Sequence, residues 1–443
     1  MKKNETYVVK IIDMGMEGEG IAKIDGQVVF VPFALLGEEV EILIINTKSK
    51  FAIGKIINII SPSSKRIVAP CPYFTKCGGC DIQHIDYENQ LQFKYNSLVN
   101  TLKKIGGITN NVNPVVPSIN QFCYRNKVAL PVVYQNGKTM VGMYRKNSHK
   151  IVEICDCLIQ EKFVKKLIEI TNKYILENNI VGYDENTGKG MLRHILARYY
   201  DNQILVTMVA TSKDLPKINE FEKLLKQNFV NYGLELNINN KNTNVILGNK
   251  TIHLSGITSL DIKENGINYN VSNSSFMQVN NYIRNAIYDY VLSIISKADV
   301  IVDMYSGAGV LTSMLSKVAK TVYGIEIEKS AVKNANTLME KNNIKNVVNI
   351  CGDAEIELEK LSTKLGNDFS VVLDPPRKGI SEKTSNLLLS TLPNKIIYIS
   401  CNPATLSRDL KILTQKYNIL SITPFDMFPQ TKHLETVVEL KRN

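Results

Sequence analysis

A chain of 443 residues with 44% apolar content is long enough for two to four domains and more than one core. No apolar run reaches membrane-spanning length, and Met1-Lys2-Lys3-Asn4-Glu5 leads into an alternating strand pattern, so a soluble, cytoplasmic protein with no membrane partner is expected. The formal charge of +11 suits a polyanionic partner such as nucleic acid, and without tryptophan any base stacking falls to the 20 tyrosines and 13 phenylalanines.

From Tyr7 to about Ile60, short strand patterns are broken by glycine turns, spaced as in a small barrel: Tyr7–Ile12, Gln27–Val31, Glu39–Ile44 and Phe51–Ile57. Two segments, Met16-Glu17-Gly18-Glu19-Gly20-Ile21-Ala22 and Val31-Pro32-Phe33-Ala34-Leu35-Leu36-Gly37-Glu38, resemble the TRAM module. That resemblance implies an OB-like, five-stranded RNA-binding domain.

The turn-rich, basic Ser61–Arg66 leads into Cys71-Pro72-Tyr73-Phe74-Thr75-Lys76-Cys77-Gly78-Gly79-Cys80. Most of the eight cysteines lie between Cys71 and Cys157, and in a large intracellular chain that grouping points to a metal site rather than a disulfide framework. Cys77 and Cys80, separated by paired glycines, can wrap one centre that Cys71 closes, and Cys155 and Cys157 are the candidates for a fourth ligand. Four thiolates suit zinc or an iron-sulfur cluster, and spacing does not separate the two. The radical S-adenosylmethionine spacing is absent. The pattern resembles the 4Fe-4S site of a subset of RNA uracil-5-methyltransferases, which implies Cys71, Cys77, Cys80 and Cys157 as ligands.

Helical periodicity runs from Glu88 to Ile105 and stops at Gly106-Gly107. A β-rich region follows, in which Tyr124, Arg125, Lys127, Tyr144, Arg145 and Lys146 interleave basic and aromatic side chains. Arg125-Asn126-Lys127 resembles a central-domain motif of the same family, and phosphate contact by Arg125 and Lys127 is expected. Phe163–Asn178 reads as an amphipathic helix and Leu205–Val209 as a buried strand; His194, one of five histidines, is assigned no chemistry.

After Asn273 the pattern becomes strand, turn, helix, repeated, which is the grammar of a doubly wound α/β sheet with ligands at the carboxyl ends of the strands. Asp299–Met304 precedes Tyr305-Ser306-Gly307-Ala308-Gly309, where glycines let backbone approach a ligand. Thr312 stands where a dinucleotide fold would have a third glycine. Glu326 ends the next strand, placed to accept from ribose hydroxyls; Asp353 ends the third and Asp374, in Asp374-Pro375-Pro376-Arg377, the fourth. Each acid alone could be a helix cap. Acids ending the second, third and fourth strands resemble the S-adenosylmethionine-dependent methyltransferase fold, and Phe276-Met277-Gln278-Val279-Asn280 matches the family segment whose glutamine contacts the cofactor.

Lys395–Ile399 then reads as a buried strand feeding Ser400-Cys401-Asn402-Pro403, with Asn402 as N-cap and Pro403 at the first helical position. By position Cys401 is either a buried small hydrophobe or a nucleophile whose thiolate the helix N-terminus favours. Asp374-Pro375-Pro376-Arg377, Ser400-Cys401-Asn402-Pro403 and His433-Leu434-Glu435 occur in the order seen in RNA uracil-5-methyltransferases, most like the 23S rRNA group, and with the TRAM-like start and the cysteines the resemblance spans nearly the whole chain. It implies Cys401 as nucleophile, Glu435 as base, and Gln278, Tyr305, Gly307, Glu326, Asp353 and Asp374 as cofactor contacts. Val310 departs from the asparagine of some members. Arg377 and Arg408 could face substrate or form salt bridges. The expected organisation is a TRAM-like domain over 1–61, a β-rich iron-sulfur domain over 62–265, with the helix at 88–105 able to pack on the catalytic part, and a Rossmann-like methyltransferase domain over 266–443. The expected cofactors are S-adenosylmethionine and the 4Fe-4S cluster, or zinc; the partner is RNA, preferably 23S rRNA and not DNA, bound by a monomer. The alternatives are tRNA uracil methylation and a non-enzymatic iron-sulfur RNA-binding protein.

Overall fold

The computed structural model describes residues 1–295 and 298–443, which form two compact units. The first comprises residues 1–100, 144–152 and 428–433, and the second the remainder. Among the described residues no helix is long and apolar enough to cross a membrane.

In the first unit, a six-stranded sheet holds Thr6–Lys10, Glu39–Thr47, Phe51–Ser61, Gln27–Val31, Gly20–Ile24 and Asp13–Met14 in that order. The resemblance implies five strands; the sixth, Asp13–Met14, is a two-residue pairing with Gly20 and Ile21. Alternation along the strands sends Val9, Ala22, Val29, Val31, Val40, Ile42, Ile44 and Ala52 into one core. Glu38, fully buried, accepts from Leu35 N–H at 2.8 Å and from Arg66 Nη2 at 2.7 Å, so the basic linker is tied back onto the barrel by a charged pair. The helix Tyr87–Thr101 belongs largely to this unit, where Gln90 Nε2 donates to Gln430 Oε1 at 3.0 Å and the buried Lys94 donates to Phe428 O at 3.0 Å.

In the second unit, Leu102–Gly106 continues as a π-helical turn, and Gly106 lies so close to Ser407 O that a Cβ there would stand 2.7 Å from it. That contact seats the turn on the helix Pro403–Leu413. A mixed sheet runs Lys250–Gly256, Asn231–Ile238, Gln203–Ala210, Leu192–Tyr200 and Lys127–Gln135. The other large sheet orders its strands Val347–Cys351, Ala319–Glu326, Ala298–Met304, Ser370–Leu373, Lys395–Ser400, Glu435–Arg442 and Tyr417–Phe425. The first five are parallel, and Glu435–Arg442 runs antiparallel to both of its neighbours. Ile301, Val302, Val322, Ile325, Val371, Val372, Ile396 and Ile397 are fully buried, because parallel strands bury both faces and therefore read as unbroken apolar runs. Strand order reverses at Ala298–Met304, the switch point at which such sheets open a crevice beyond their carboxyl ends.

Candidate active site

Cys401 follows the strand Lys395–Ser400, which pairs antiparallel with Glu435–Arg442 through Ser400↔Thr436. One further step of that register brings Cys401 opposite Glu435. The two lie far apart in sequence, and only the insertion of the final strand beside the fifth unites them. Asn402 caps the next helix, its side chain accepting from Ala404 N–H at 3.0 Å, and Pro403 opens it. The thiolate that this helix end favours is opposed by the surroundings. Burial first, then the Glu435 carboxyl, push the Cys401 thiol up to about 11, with Arg377 pulling the other way and Asp374 adding to the rise. Glu435 is 2% exposed, and burial, followed by Asp374, holds its carboxyl well above the usual range, again against Arg377.

The other acids gather at the same strand ends. Burial pushes Asp374 up to about 7. Asp303, near the end of the first strand, is also pushed up to about 7 by burial, with Asp374 and Glu326 contributing, and it accepts a 2.6 Å hydrogen bond from Thr312 Oγ1. Asp303 escapes sequence reading; its signal is an acid placed inside an apolar parallel strand, where it must be held by a partner. Thr312, at the position a third glycine would take in a dinucleotide fold, supplies that partner. Tyr305 has φ 66, a left-handed conformation uncommon for a bulky residue, and so starts the loop turn. Gly309 (φ 79) closes it, and Gly307 between them donates its N–H to Glu326 Oε2 at 3.0 Å, with open space where a Cβ would be. Glu326 Oε1 accepts from Glu328 N–H at 2.8 Å.

Asp353 is a helix cap, its Oδ1 accepting from Glu355 and Ile356 N–H at 3.0 and 3.3 Å; its other oxygen is not used in the cap. Gln278 is half-buried, and its main-chain carbonyl accepts from Asn126 Nδ2 at 3.3 Å. Arg408 is a salt-bridge former: it pairs with Asp409 at 2.7 Å. Arg377 is exposed and its guanidinium has no hydrogen-bond or ion-pair partner among the described residues. Lys127 is turned to internal use. Its ammonium donates to Asn273 O at 3.1 Å, and burial pulls its pKa down to about 8. His194 is buried and its pKa falls to about 4 through burial, in keeping with no assigned chemistry.

In the first unit, Cys71, Cys77 and Cys80 are half-buried; Cys77 Sγ accepts from Gly79 N–H at 3.4 Å, and burial and the nearby Cys71 raise the Cys77 thiol. In the second unit, Cys157 is half-buried and Cys155 exposed. Among the described residues no three His, Cys, Asp or Glu side chains form a ready metal-binding group.

A TRAM domain model matches residues 2–57, and the tRNA (uracil-5-)-methyltransferase model matches residues 86–443. An uncharacterized RNA methyltransferase of Clostridium acetobutylicum is 40% identical, with 100% of this chain and 98% of that protein covered. One from Halalkalibacterium halodurans is 36% identical over 100% of this chain and 98% of its own length. Among solved structures, Pyrococcus abyssi tRNA (uracil-54, C5)-methyltransferase in complex with S-adenosyl-L-homocysteine superposes with a TM-score of 0.80 at 27% identity, covering 98% of this chain and 99% of that one. The seven-stranded sheet and these matches together establish that the chain is an RNA methyltransferase with an N-terminal TRAM domain, and that it belongs to the tRNA (uracil-5-)-methyltransferase family.

Proposed function

We propose that the protein methylates carbon 5 of a uridine in structured RNA, with 23S rRNA as the preferred substrate, through Cys401 and Glu435. The observation that carries this reading is the antiparallel register that brings Cys401 opposite Glu435 at the strand ends where Asp374 and Asp303 also gather. Carbon 5 of uracil is a weak nucleophile. Addition of the Cys401 sulfur, as the thiolate, to carbon 6 forms a C–S bond and makes carbon 5 electron-rich; once carbon 5 is methylated, Glu435 takes the carbon 5 proton and the C–S bond breaks, the sulfur leaving as the thiolate. Burial raises the proton affinity of the Glu435 carboxylate, so in its ionised form it is a stronger base than an exposed carboxylate. The unpartnered Arg377 guanidinium is the group available to balance charge building on the uracil oxygen.

The methyl donor in this reading is S-adenosylmethionine, which supplies an electrophilic methyl on a cationic sulfur. The residues fit it. Gly307 presents open space for close approach, Glu326 and Asp353 offer carboxylate oxygens for hydroxyl and amino donors, Asp374 stands at the switch-point side towards Cys401, and Tyr305 and Gln278 complete the set. The cysteines are read as a 4Fe-4S site with Cys71, Cys77, Cys80 and Cys157 as ligands, zinc being the alternative. An amide N–H on Cys77 sulfur and a neighbouring thiol suit a metal thiolate, and the exposure of Cys155 favours Cys157. Iron and sulfide analysis of anaerobically purified protein decides between them. In this scheme residues 1–61 and 62–265 hold flanking RNA, residues 266–443 carry the chemistry, and the protein works as a monomer on a base taken out of its stack.

The P. abyssi structure is that of a tRNA-modifying enzyme, so tRNA is the second reading. Labelled S-adenosylmethionine with separate rRNA and tRNA pools tests both: label in rRNA supports the first, label in tRNA alone replaces it with the second. Label in neither, or equal transfer by Cys401→Ala, overturns the mechanism.

A further inference from the structure

The loop after Asp374 has its backbone gripped by the helix that Cys401 precedes. Arg377 O accepts from Asn402 Nδ2 at 3.1 Å and from Thr405 Oγ1 at 3.3 Å. One helical turn on, Arg408 Nη2 donates to Lys378 O at 3.0 Å and to Ile380 O at 2.9 Å. Asp409 completes the grip, its Oδ2 accepting from Ile380 N–H at 3.1 Å and from Tyr398 O–H at 2.7 Å, while its Oδ1 accepts from Arg408 Nε at 2.8 Å. Tyr398 comes from the strand that ends at Ser400, so strand, helix and loop meet on one carboxylate. The approach is tight enough to demand glycine. Gly379 has φ 72, and a Cβ there would stand 2.5 Å from Asp409 Oδ2.

A fully buried carboxylate is retained only when its bonds repay desolvation. Here every bond made by Asp409 is spent on the loop or on residues that hold it, and none reaches the crevice. What the loop presents is the exposed, unpartnered guanidinium of Arg377. We propose that Asp409, with Tyr398 and Arg408, is a positioning residue for methyl transfer: it fixes the Arg377–Ile380 backbone to the Cys401 helix so that the Arg377 cation stays within electrostatic reach of the Cys401 sulfur and of Glu435. This rests on Cys401 being the nucleophile. The groups that face the sulfur are Glu435 and Asp374, which disfavour the thiolate, and Arg377, which favours it. The loop anchor therefore protects the one favourable charge against two unfavourable ones, and it acts through Arg377 without touching substrate.

The test is the rate of Cys401 alkylation by iodoacetamide in the full-length protein at about pH 9, read by mass spectrometry on the Cys401 peptide, where rate tracks thiolate fraction. Asp409→Asn is expected to slow alkylation about tenfold, the equivalent of about one pH unit, and to lower kcat with KM for RNA unchanged. Arg377→Ala is expected to give the same slowing, and Asp409→Asn added to it nothing more. Unchanged alkylation in Asp409→Asn, or a loss that multiplies fully with that of Arg377→Ala, overturns the proposal. If Asp409→Asn does not fold, Tyr398→Phe, which removes one bond from the anchor, takes its place: slowed alkylation supports the proposal and unchanged alkylation overturns it. The alkylation readout needs no RNA and no methyl transfer, so its failure is distinct from failure of the nucleophile assignment, which Cys401→Ala tests in the RNA assay.

Discussion

A thiol pushed up to about 11 is almost wholly protonated at neutral pH, so Cys401, the proposed nucleophile, is protected in the isolated chain. Burial is the main cause and does not change when RNA is absent. What can change is charge, because a cation beside the sulfur favours the thiolate. We therefore expect S-adenosylmethionine, with its sulfonium, to speed Cys401 alkylation by roughly tenfold at pH 8, and the neutral thioether S-adenosylhomocysteine to leave it unchanged. Equal effects of the two would show that occupancy, not charge, governs the thiol. Glu435 permits a separate expectation. With Glu435→Gln the carbon 5 proton has no acceptor opposite Cys401, elimination stalls, and a protein–RNA adduct survives a denaturing gel; Cys401→Ala in the same background removes it. Wild-type protein should show little adduct, because in the proposed mechanism the base that completes methylation also releases the sulfur.

At the scale of elements, the glycine loop between Met304 and Val310 shows how backbone conformation fixes chemistry. Gly309 sits at φ 79, and a Cβ there would stand 2.8 Å from the Ala335 Cβ. Gly309→Ala thus combines a disfavoured conformation with a clash and should cost about 1–3 kcal/mol, read as a lowered urea midpoint, together with weaker S-adenosylhomocysteine binding by calorimetry. The parallel strands around this loop were legible because burial on both faces writes unbroken apolar runs, as in Val371–Leu373 and Ile396–Ile399. The Asn402 cap and Pro403 start were legible for the same local reason: cap chemistry acts within three residues. Asp303, the internal use of Lys127 and the anchoring role of Arg408 were not, because each depends on partners far away in sequence: Thr312 nine residues on for Asp303, Asn273 for Lys127, and Lys378 and Ile380 for Arg408. Likewise the thiolate-favouring helix end was legible, whereas the burial and the carboxyls that outweigh it were not, since those carboxyls come from other strands.

At the scale of the molecule, a crevice lined by acids raised above their normal range trades stability for readiness to bind a cationic ligand. Asp303 and Asp374 are both pushed up from 3.8 to about 7, and for both burial is the first cause. An acid whose folded value exceeds its unfolded value stabilises the fold fully below the unfolded pKa and loses that contribution as pH rises through the folded one. The window is therefore about pH 4 to 7, with stability falling as pH increases and levelling off above it. Each group should contribute on the order of 2–4 kcal/mol across the window, less than additively, because Asp374 also raises Asp303. Denaturant unfolding followed at several pH values should show the decline in the wild-type protein and a shallower one in Asp303→Asn, whose amide can still accept from Thr312 but carries no proton to lose. An identical slope in the two proteins would place Asp303 outside the set of groups that titrate with folding.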